Sequence, residues 1–101
     1  MGENAVDWTF AADSPPADLP PALEALWWLK KGDLRPGSAW ARAHALCQAH
    51  EGERAADLVH ALSHWIEGDL GNADYWYRRV GSRRAGDVAL EWARLVAEIG
   101  A

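Results

Sequence analysis

Apolar residues recur at intervals of three and four positions in five segments of the chain, and a glycine follows each segment. This spacing is typical of amphipathic helices, and glycine commonly ends a helix because it adopts the left-handed conformation without steric cost. Proline suits the first turn of a helix, and serine, aspartate and asparagine suit the N-cap. The predicted helices run from Pro20-Pro21 to Gly32, from Ser38 as N-cap to Gly52, from Arg54 to Glu67 before Gly68, from Asp69 or Asn72 as N-cap to Gly81, and from Asp87 as N-cap to Gly100.

Two stretches of the chain are nearly the same. Residues 25–34, ALWWLKKGDL, recur as residues 61–70, ALSHWIEGDL, and each copy leads into a second amphipathic segment that contains alanine. Such a repeat predicts stacked helical hairpins. We therefore predict an all-α fold of two stacked helical hairpins, with the fifth helix as a C-terminal cap.

The first 19 residues differ in composition from the rest. Residues 1–19 combine acids and small residues with Pro15-Pro16 and show no sustained periodicity, so we predict an acidic and largely extended N-terminal arm. Trp8 and Phe10 are the residues that could attach it to the domain. A chain of 101 residues suits one hydrophobic core, and residues 20–101 are predicted to form a single α-helical domain.

Charge, hydropathy and cysteine content indicate which partners and which cellular compartment to expect. A formal net charge of −5 argues against a nucleic-acid partner, because phosphate contacts need accumulated positive charge. No apolar run reaches the length of a membrane span, and the acidic N-terminal segment lacks the basic start of a secretory signal. The single cysteine, Cys47, cannot form an intramolecular disulfide. We therefore expect a cytoplasmic protein with no membrane partner.

The turn before the fourth helix carries a recognisable pattern. Residues 67–79 have the form EGDxxNAxYWYRR, with Gly-Asp at the turn, a small residue four positions on and an aromatic residue four positions beyond that. This pattern resembles the turn and second helix of a tetratricopeptide (TPR) or Sel1-like repeat. It also resembles a signature of an uncharacterised bacterial protein family. The resemblance implies a TPR-like helical hairpin fold over about residues 21–84 and carries no established function.

Asp57, His60, His64 and Glu67 share one face of the third predicted helix. The repeat register would bury the first three of them, whereas the strongest apolar stripe on the same helix points nearly the opposite way. We follow the apolar stripe, because burying two imidazoles and a carboxylate without partners costs several kcal/mol. The polar face is therefore predicted to be solvated, and a metal or catalytic role and a buried hydrogen-bond network remain as alternatives. The apolar stripe consists of Leu58, Leu62, Trp65 and Ile66.

All four histidines and the only cysteine lie between residues 44 and 64, on two helices expected to be antiparallel. A thiolate with two or three imidazoles would suit Zn or Cu. No familiar zinc spacing is present, and a lone cysteine in an alanine-rich helix is usually a small core residue. We therefore assign no metal and no cofactor, and we keep a metal-binding or metal-dependent protein as the alternative function. The candidate cluster is His44, Cys47, His50, His60 and His64.

The fourth predicted helix contains three consecutive aromatic residues followed by two arginines, YWYRR at 75–79, and Arg83 and Arg84 follow shortly after. Tyr75, Arg78 and Arg79 share one side of it, and tyrosine, tryptophan and arginine are enriched at binding hot spots. An acidic peptide, a phosphate or RNA could bind there, or the arginines could pair with acids of this chain. Candidate internal partners are the arm, Glu67, Asp69 and Asp74.

The chain contains seven tryptophans. Trp28 and Trp40 do not easily point inward together with the four that fit core positions. Either some apolar area is exposed, as a groove for a partner's helix or a homodimer face, or the small core is built from large residues. The four tryptophans at core positions are Trp27, Trp65, Trp76 and Trp92.

Motifs of common enzyme classes do not occur. The sequence has no glycine-rich phosphate loop, no G-x-S-x-G and no H-E-x-x-H, and we lean against an enzymatic activity. We predict a small helical-hairpin module that binds a protein or peptide partner. The predicted binding residues are His60, His64, Tyr75, Arg78 and Arg79.

Overall fold

The part of the chain that the structure describes contains five helices, and all five correspond to predicted segments. The structure is a computed structural model that describes residues 8–100, in which no β-strand occurs. None of the helices in this range is long and apolar enough to cross a membrane. The all-α prediction is confirmed, whereas residues 1–7 of the predicted arm and residue 101 lie outside the described part. The helices are α1 Pro21–Lys31, α2 Ser38–Ala49, α3 Arg54–Glu67, α4 Leu70–Arg79 and α5 Val88–Ile99.

Aspartate side chains begin the last two helices. The carboxylate of Asp69 accepts a hydrogen bond from the backbone N–H of Asn72, so Asp69 is the N-cap of α4. Asp87 accepts from the N–H of Leu90 in the same way at the start of α5. Gly68 ends α3 with a φ of +88°, a left-handed conformation that favours glycine. These boundaries follow the predicted caps.

The predicted boundaries of α2 are wrong at both ends. Gly37 is the N-cap and Ser38 is the first helical residue, and no side chain caps this helix. The helix ends at Ala49 because the N–H of His50 bonds to carbonyls only two and three residues back, which closes a tighter turn. Gly52, with a φ of +100°, follows in the turn that leads to α3.

The helices pack as two pairs and a closing helix. The most extensive contacts join α1 to α2 and α3 to α4, α2 packs against α3, and α5 lies against α1 and α3. This is the predicted order of two hairpins and a cap, and it makes α3 the central helix. Each large apolar side chain buried in such a core stabilises the fold by roughly 1.5–3 kcal/mol. The largest fully buried apolar side chains include Trp27, Leu26, Leu29, Leu58, Leu62 and Leu95.

Trp28 and Trp40 differ from the prediction in different ways. Trp28 is buried, and the guanidinium of Arg42 covers its ring at 4.7 Å. Trp40 is half-buried, and its indole N–H donates to the backbone carbonyl of Ser63 at 2.8 Å. Both rings therefore lie against the domain, since the arginine stem and the α3 backbone provide contacts that a purely apolar core would not.

The arm is attached to the domain through its two aromatic residues. The rings of Trp8 and Phe10 each lie 6.2 Å from the ring of Trp92 in α5, and Phe10 lies 5.7 Å from Trp27 in α1. The ammonium of Lys31 donates to the carbonyl of Phe10 at 2.9 Å. The described part of the arm is thus an integral layer over α1 and α5.

A buried carboxylate links α4 to α5. Glu91 is 1% exposed, and it accepts hydrogen bonds from the hydroxyl of Tyr77 at 3.0 Å and from two guanidinium nitrogens of Arg94 at 2.8 and 2.9 Å. Burial, followed by the charge of Glu91, raises the pKa of Tyr77 well above its usual range, so its hydroxyl remains a donor. The network satisfies a charge that would otherwise be costly inside the protein.

Candidate metal centre

Most of the polar face of α3 is buried. Asp57, His60 and His64 are 4%, 3% and 7% exposed, so the prediction of a solvated face is wrong for these three residues, whereas Glu67 is exposed as predicted. The reason is that α3 has neighbours on all sides: residues 56–64 are all buried, including the apolar stripe residues Leu58 and Leu62. Two of these residues have local partners, since Asp57 accepts from the backbone N–H of Gly52 and His64 pairs with Glu67 of the same helix. A neighbouring helix provides the partner of His60, whose Nε2 meets Nε2 of His44.

Three imidazoles meet between α2 and α3. His44 projects from α2, whereas His60 and His64 are one turn apart on α3, and their ring centroids lie 4.9 to 5.2 Å from one another. The Nε2 atoms of His44 and His60 are 3.2 Å apart. One potential ligand atom from each of the three residues lies within 4.8 Å of the other two.

Glu67 orients the third imidazole. Its carboxylate pairs with Nδ1 of His64 at 2.7 Å, one turn along α3. Because Nδ1 is engaged, Nε2 is the nitrogen of His64 that remains free for another partner. A carboxylate in this position fixes the tautomer and raises the basicity of a histidine that binds a metal.

Aromatic rings hold the other two imidazoles. Trp40 stacks on His44 at a centroid distance of 4.8 Å and an interplanar angle of 10°. Trp76 stacks on His60 at 4.2 Å, and the guanidinium of Arg79 lies over the ring of Trp76 at 4.9 Å. Stacked aromatic rings therefore hold the imidazoles of His44 and His60 in place on two sides of the cluster.

The environment keeps two of the histidines neutral. Burial, followed by the charges of His64 and His44, lowers the pKa of His60 to about 4. Burial and then His64 also lower the pKa of His44, against an opposing effect of Glu67. Within the described part of the chain, Nδ1 of His60 is a buried polar atom without a hydrogen-bond partner. Neutral imidazoles carry the free electron pairs that metal binding needs.

Cys47 and His50 do not belong to this group of three. Burial, with a smaller effect of Asp57, raises the pKa of the Cys47 thiol to about 12, so it is a protonated core residue rather than a thiolate ligand. His50 lies beyond the end of α2 and pairs with Glu53 at 3.0 Å. The wider cluster predicted from sequence is therefore reduced to His44, His60 and His64.

The predicted binding residues lie in two different environments. His60 and His64 are interior, whereas Tyr75 is 45% exposed and Arg78 and Arg79 are exposed on α4. The hydroxyl of Tyr75 accepts a hydrogen bond from Arg79 at 3.2 Å. Arg84, in the loop after α4, pairs with Asp74, which is an internal partner of the kind that the alternative interpretation expected.

Comparison with family models, with curated proteins and with solved structures found no match to this chain. The likeness to tetratricopeptide or Sel1-like repeats therefore stays a prediction, and the geometry of the chain's own residues carries the functional argument.

Proposed function

We propose that this protein binds a divalent transition metal ion through His44, His60 and His64. The observation that carries the proposal is the convergence of three imidazoles from two helices, with ligand atoms within 4.8 Å of one another. Metal binding, the alternative function in the sequence analysis, is therefore preferred over the binding of a protein or peptide.

The distances suit a first-row metal. Zinc binds imidazole nitrogen at about 2.0–2.1 Å, so two such nitrogens at a tetrahedral ion lie roughly 3.3 Å apart. The separation of 3.2 Å between the Nε2 atoms of His44 and His60 is close to this value. The ligand atom of His64 lies within 4.8 Å of the others, so an approach of at most about 1.5 Å would complete the set.

The donor set selects the class of ion. Neutral imidazoles favour zinc, copper, nickel and cobalt over magnesium and calcium, which prefer oxygen. Three protein ligands leave a fourth position for water or for a further ligand. We also propose that the protein acts in the cytoplasm, where a free thiol such as that of Cys47 stays reduced.

Elemental analysis of untagged protein, purified without chelator, tests the proposal. We expect about one Zn, Cu, Ni or Co ion per chain. We also expect intense visible absorption when protein from which a chelator has removed the metal is loaded with cobalt. His44→Gln and His64→Gln should abolish both signals. His50→Gln is the matched control, because its imidazole pairs with Glu53 outside the cluster.

Far-UV circular dichroism establishes that each variant is folded before metal is measured. Protein that takes up no transition metal from a stoichiometric solution contradicts the proposal. So does equal loss of metal in His50→Gln and His44→Gln, since this would place the ion elsewhere.

A second candidate function is the binding of an acidic peptide on the outer face of α4. Its support is that Tyr75 is 45% exposed while Arg79 is held by a hydrogen bond to the Tyr75 hydroxyl and lies over its ring at 5.8 Å. A tyrosine and an arginine fixed in this way lose little conformational freedom on binding. Arg78 adds exposed positive charge beside them.

Titration with a synthetic acidic peptide tests this second function. The double variant Tyr75→Ala with Arg78→Ala should weaken binding at least tenfold, whereas Arg35→Ala, an exposed arginine in the loop after α1, should leave it unchanged. Equal affinity of the double variant and the parent protein would exclude this face.

A further inference from the structure

An open cavity of about 400 Å³ lies at the end of α4 and in the loop that follows it. None of its lining residues belongs to the histidine cluster. Its walls combine one acid and one hydroxyl with three guanidinium groups. The lining residues are Asp74, Arg78, Ser82, Arg83 and Arg84.

One of the arginines forms a fixed wall. Arg84 donates two hydrogen bonds to Asp74, at 2.7 and 3.1 Å, and its guanidinium lies over the ring of Trp65 at 5.5 Å. The hydrogen bonds of Arg84, together with the charges of Arg84 and Arg78, lower the pKa of the Asp74 carboxyl against a smaller effect of desolvation. Asp74 is therefore ionised, and it neutralises one of the three positive charges.

The other two arginines of the cavity remain available to bind a ligand. Among residues 8–100, Arg78 and Arg83 make no side-chain hydrogen bond and no ion pair. The cavity therefore carries a net charge near +2, on a chain whose formal net charge is −5. This local positive charge attracts a compact dianion more strongly than it attracts a neutral ligand.

Two of the last backbone carbonyls of α4 already accept hydrogen bonds. The carbonyl of Tyr77 accepts from the N–H of Ser82 at 2.8 Å, and the carbonyl of Arg78 accepts from the N–H of Gly81 at 3.1 Å. These bonds reduce the negative potential that free carbonyls place at a helix C-terminus. The hydroxyl of Ser82 remains in the lining as a further donor.

We infer that this cavity binds a phosphate monoester dianion, with Arg78 and Arg83 as charged donors, Ser82 as a neutral donor and the Arg84–Asp74 pair as the fixed wall. The charge of the ligand matches the uncompensated charge of the cavity. A guanidinium group can also donate two parallel hydrogen bonds to two oxygens of one phosphate. The site goes beyond the proposed metal function and shares no residue with it.

Isothermal titration calorimetry with phenyl phosphate, at low salt and with the full chain, tests the inference. Arg78→Gln and Arg83→Gln should each weaken binding at least fivefold. Arg35→Gln removes the same charge from an exposed arginine in the loop after α1 and should change affinity less than twofold. Inorganic phosphate and a short phosphoserine peptide, with its unphosphorylated form, show whether the ester comes from a small molecule or from a protein.

Saturable binding of phenyl phosphate that falls in both cavity variants and not in Arg35→Gln supports the site. Equal losses in all three variants would mean that only the total charge matters, and absence of binding at millimolar phosphate would also overturn the inference. Far-UV circular dichroism of each variant excludes unfolding as the cause of a lost signal.

Discussion

The Nε2 atom of His44 lies 3.2 Å from the Nε2 atom of His60, so two imidazole nitrogens face each other across the α2–α3 contact. Two neutral rings can share one proton in this arrangement, or both electron pairs can bind one cation. Two protonated rings cannot be accommodated, because their positive N–H groups would point at each other. The pair therefore links stability to protonation and to metal binding.

Acid is expected to destabilise the metal-free protein. His60 has a folded pKa of about 4, lowered from 6.5, so between these values the unfolded chain binds the additional proton. Stability is then fully present above pH 6.5 and is lost as the pH falls, by about 2 kcal/mol between pH 7 and pH 5 from His60 alone. Urea unfolding of chelator-treated protein at both pH values measures the effect. The charged and titratable groups that face His60 are His44, His64 and, through them, Glu67.

His60→Gln provides the control for this pH dependence. It removes the titrating ring, so its free energy of unfolding should change less between pH 7 and pH 5 than that of the parent protein. His50→Gln should retain the parent's dependence. A parent protein that is equally stable at both pH values would contradict the assignment.

Replacing Glu67 should weaken metal binding without removing a ligand. Glu67 holds Nδ1 of His64 at 2.7 Å, and loss of such a partner commonly costs 10- to 100-fold in metal affinity. We expect Glu67→Gln to lower the affinity for zinc by about tenfold in competition with a chelating dye. Glu53→Gln changes the equivalent pair at His50 and should have no effect. Equal affinities of Glu67→Gln and the parent would show that the carboxylate does not orient a ligand.

Local sequence patterns determine the helices of this protein. The boundaries of α3, α4 and α5 follow from Gly68, Asp69 and Asp87, since a cap depends on residues within one turn. The boundaries of α2 were mispredicted because its N-cap is Gly37, which offers no side-chain oxygen to identify it. Of the predicted apolar stripe, Leu58 and Leu62 are buried in the core, whereas Trp65 and Ile66 are half-buried against it.

The site depends on information that one helix does not contain. The sequence shows a stripe of acids and histidines on α3. Most of this stripe is buried because α2 and α4 pack against it and bring His44 and Trp76 into contact with His60. A single apolar stripe predicts one buried face, whereas a central helix buries all its faces. The concentration of all four histidines between residues 44 and 64 was the sequence feature that indicated the cluster.

The buried carboxylate of Glu91 should make Arg94 important for stability. Arg94→Met leaves Glu91 with only the hydroxyl of Tyr77, and removing one partner of a buried pair costs about 3–5 kcal/mol. Because Arg94 is itself part-exposed, we expect the lower end of this range in urea unfolding. Tyr77→Phe removes one neutral donor and should cost about 1–2 kcal/mol.

Arg35→Met is the control for the Arg94 comparison, because Arg35 forms only an exposed contact with Asp33 at 3.7 Å. Its free energy of unfolding should change by less than about 0.5 kcal/mol. If Arg94→Met were as mild as Arg35→Met, the Glu91 network would not contribute to the fold.

Removing the aromatic anchor should release the arm. Phe10 contacts Trp27 and Trp92, so Phe10→Ala removes half-buried apolar area worth about 1–2 kcal/mol. We expect faster cleavage by a protease within residues 8–19 and a shift of tryptophan fluorescence, because Trp27 and Trp92 gain contact with water. Asp13→Ala alters an exposed position of the same segment and should change neither. Unchanged cleavage of Phe10→Ala would show that other contacts hold the arm.

Cys47 should be protected from thiol reagents in the folded protein. The side chain is 1% exposed, and burial raises its pKa to about 12, so almost no thiolate is present at neutral pH. Reaction with a disulfide reagent at pH 7.5 should therefore proceed only through unfolding, and it should accelerate by several orders of magnitude in concentrated urea. Ala45→Cys on the exposed side of α2 is the matched control and should react rapidly without denaturant. Rapid labelling of Cys47 in the native parent protein would mean that α2 separates from α3, and the histidine cluster would then open with it.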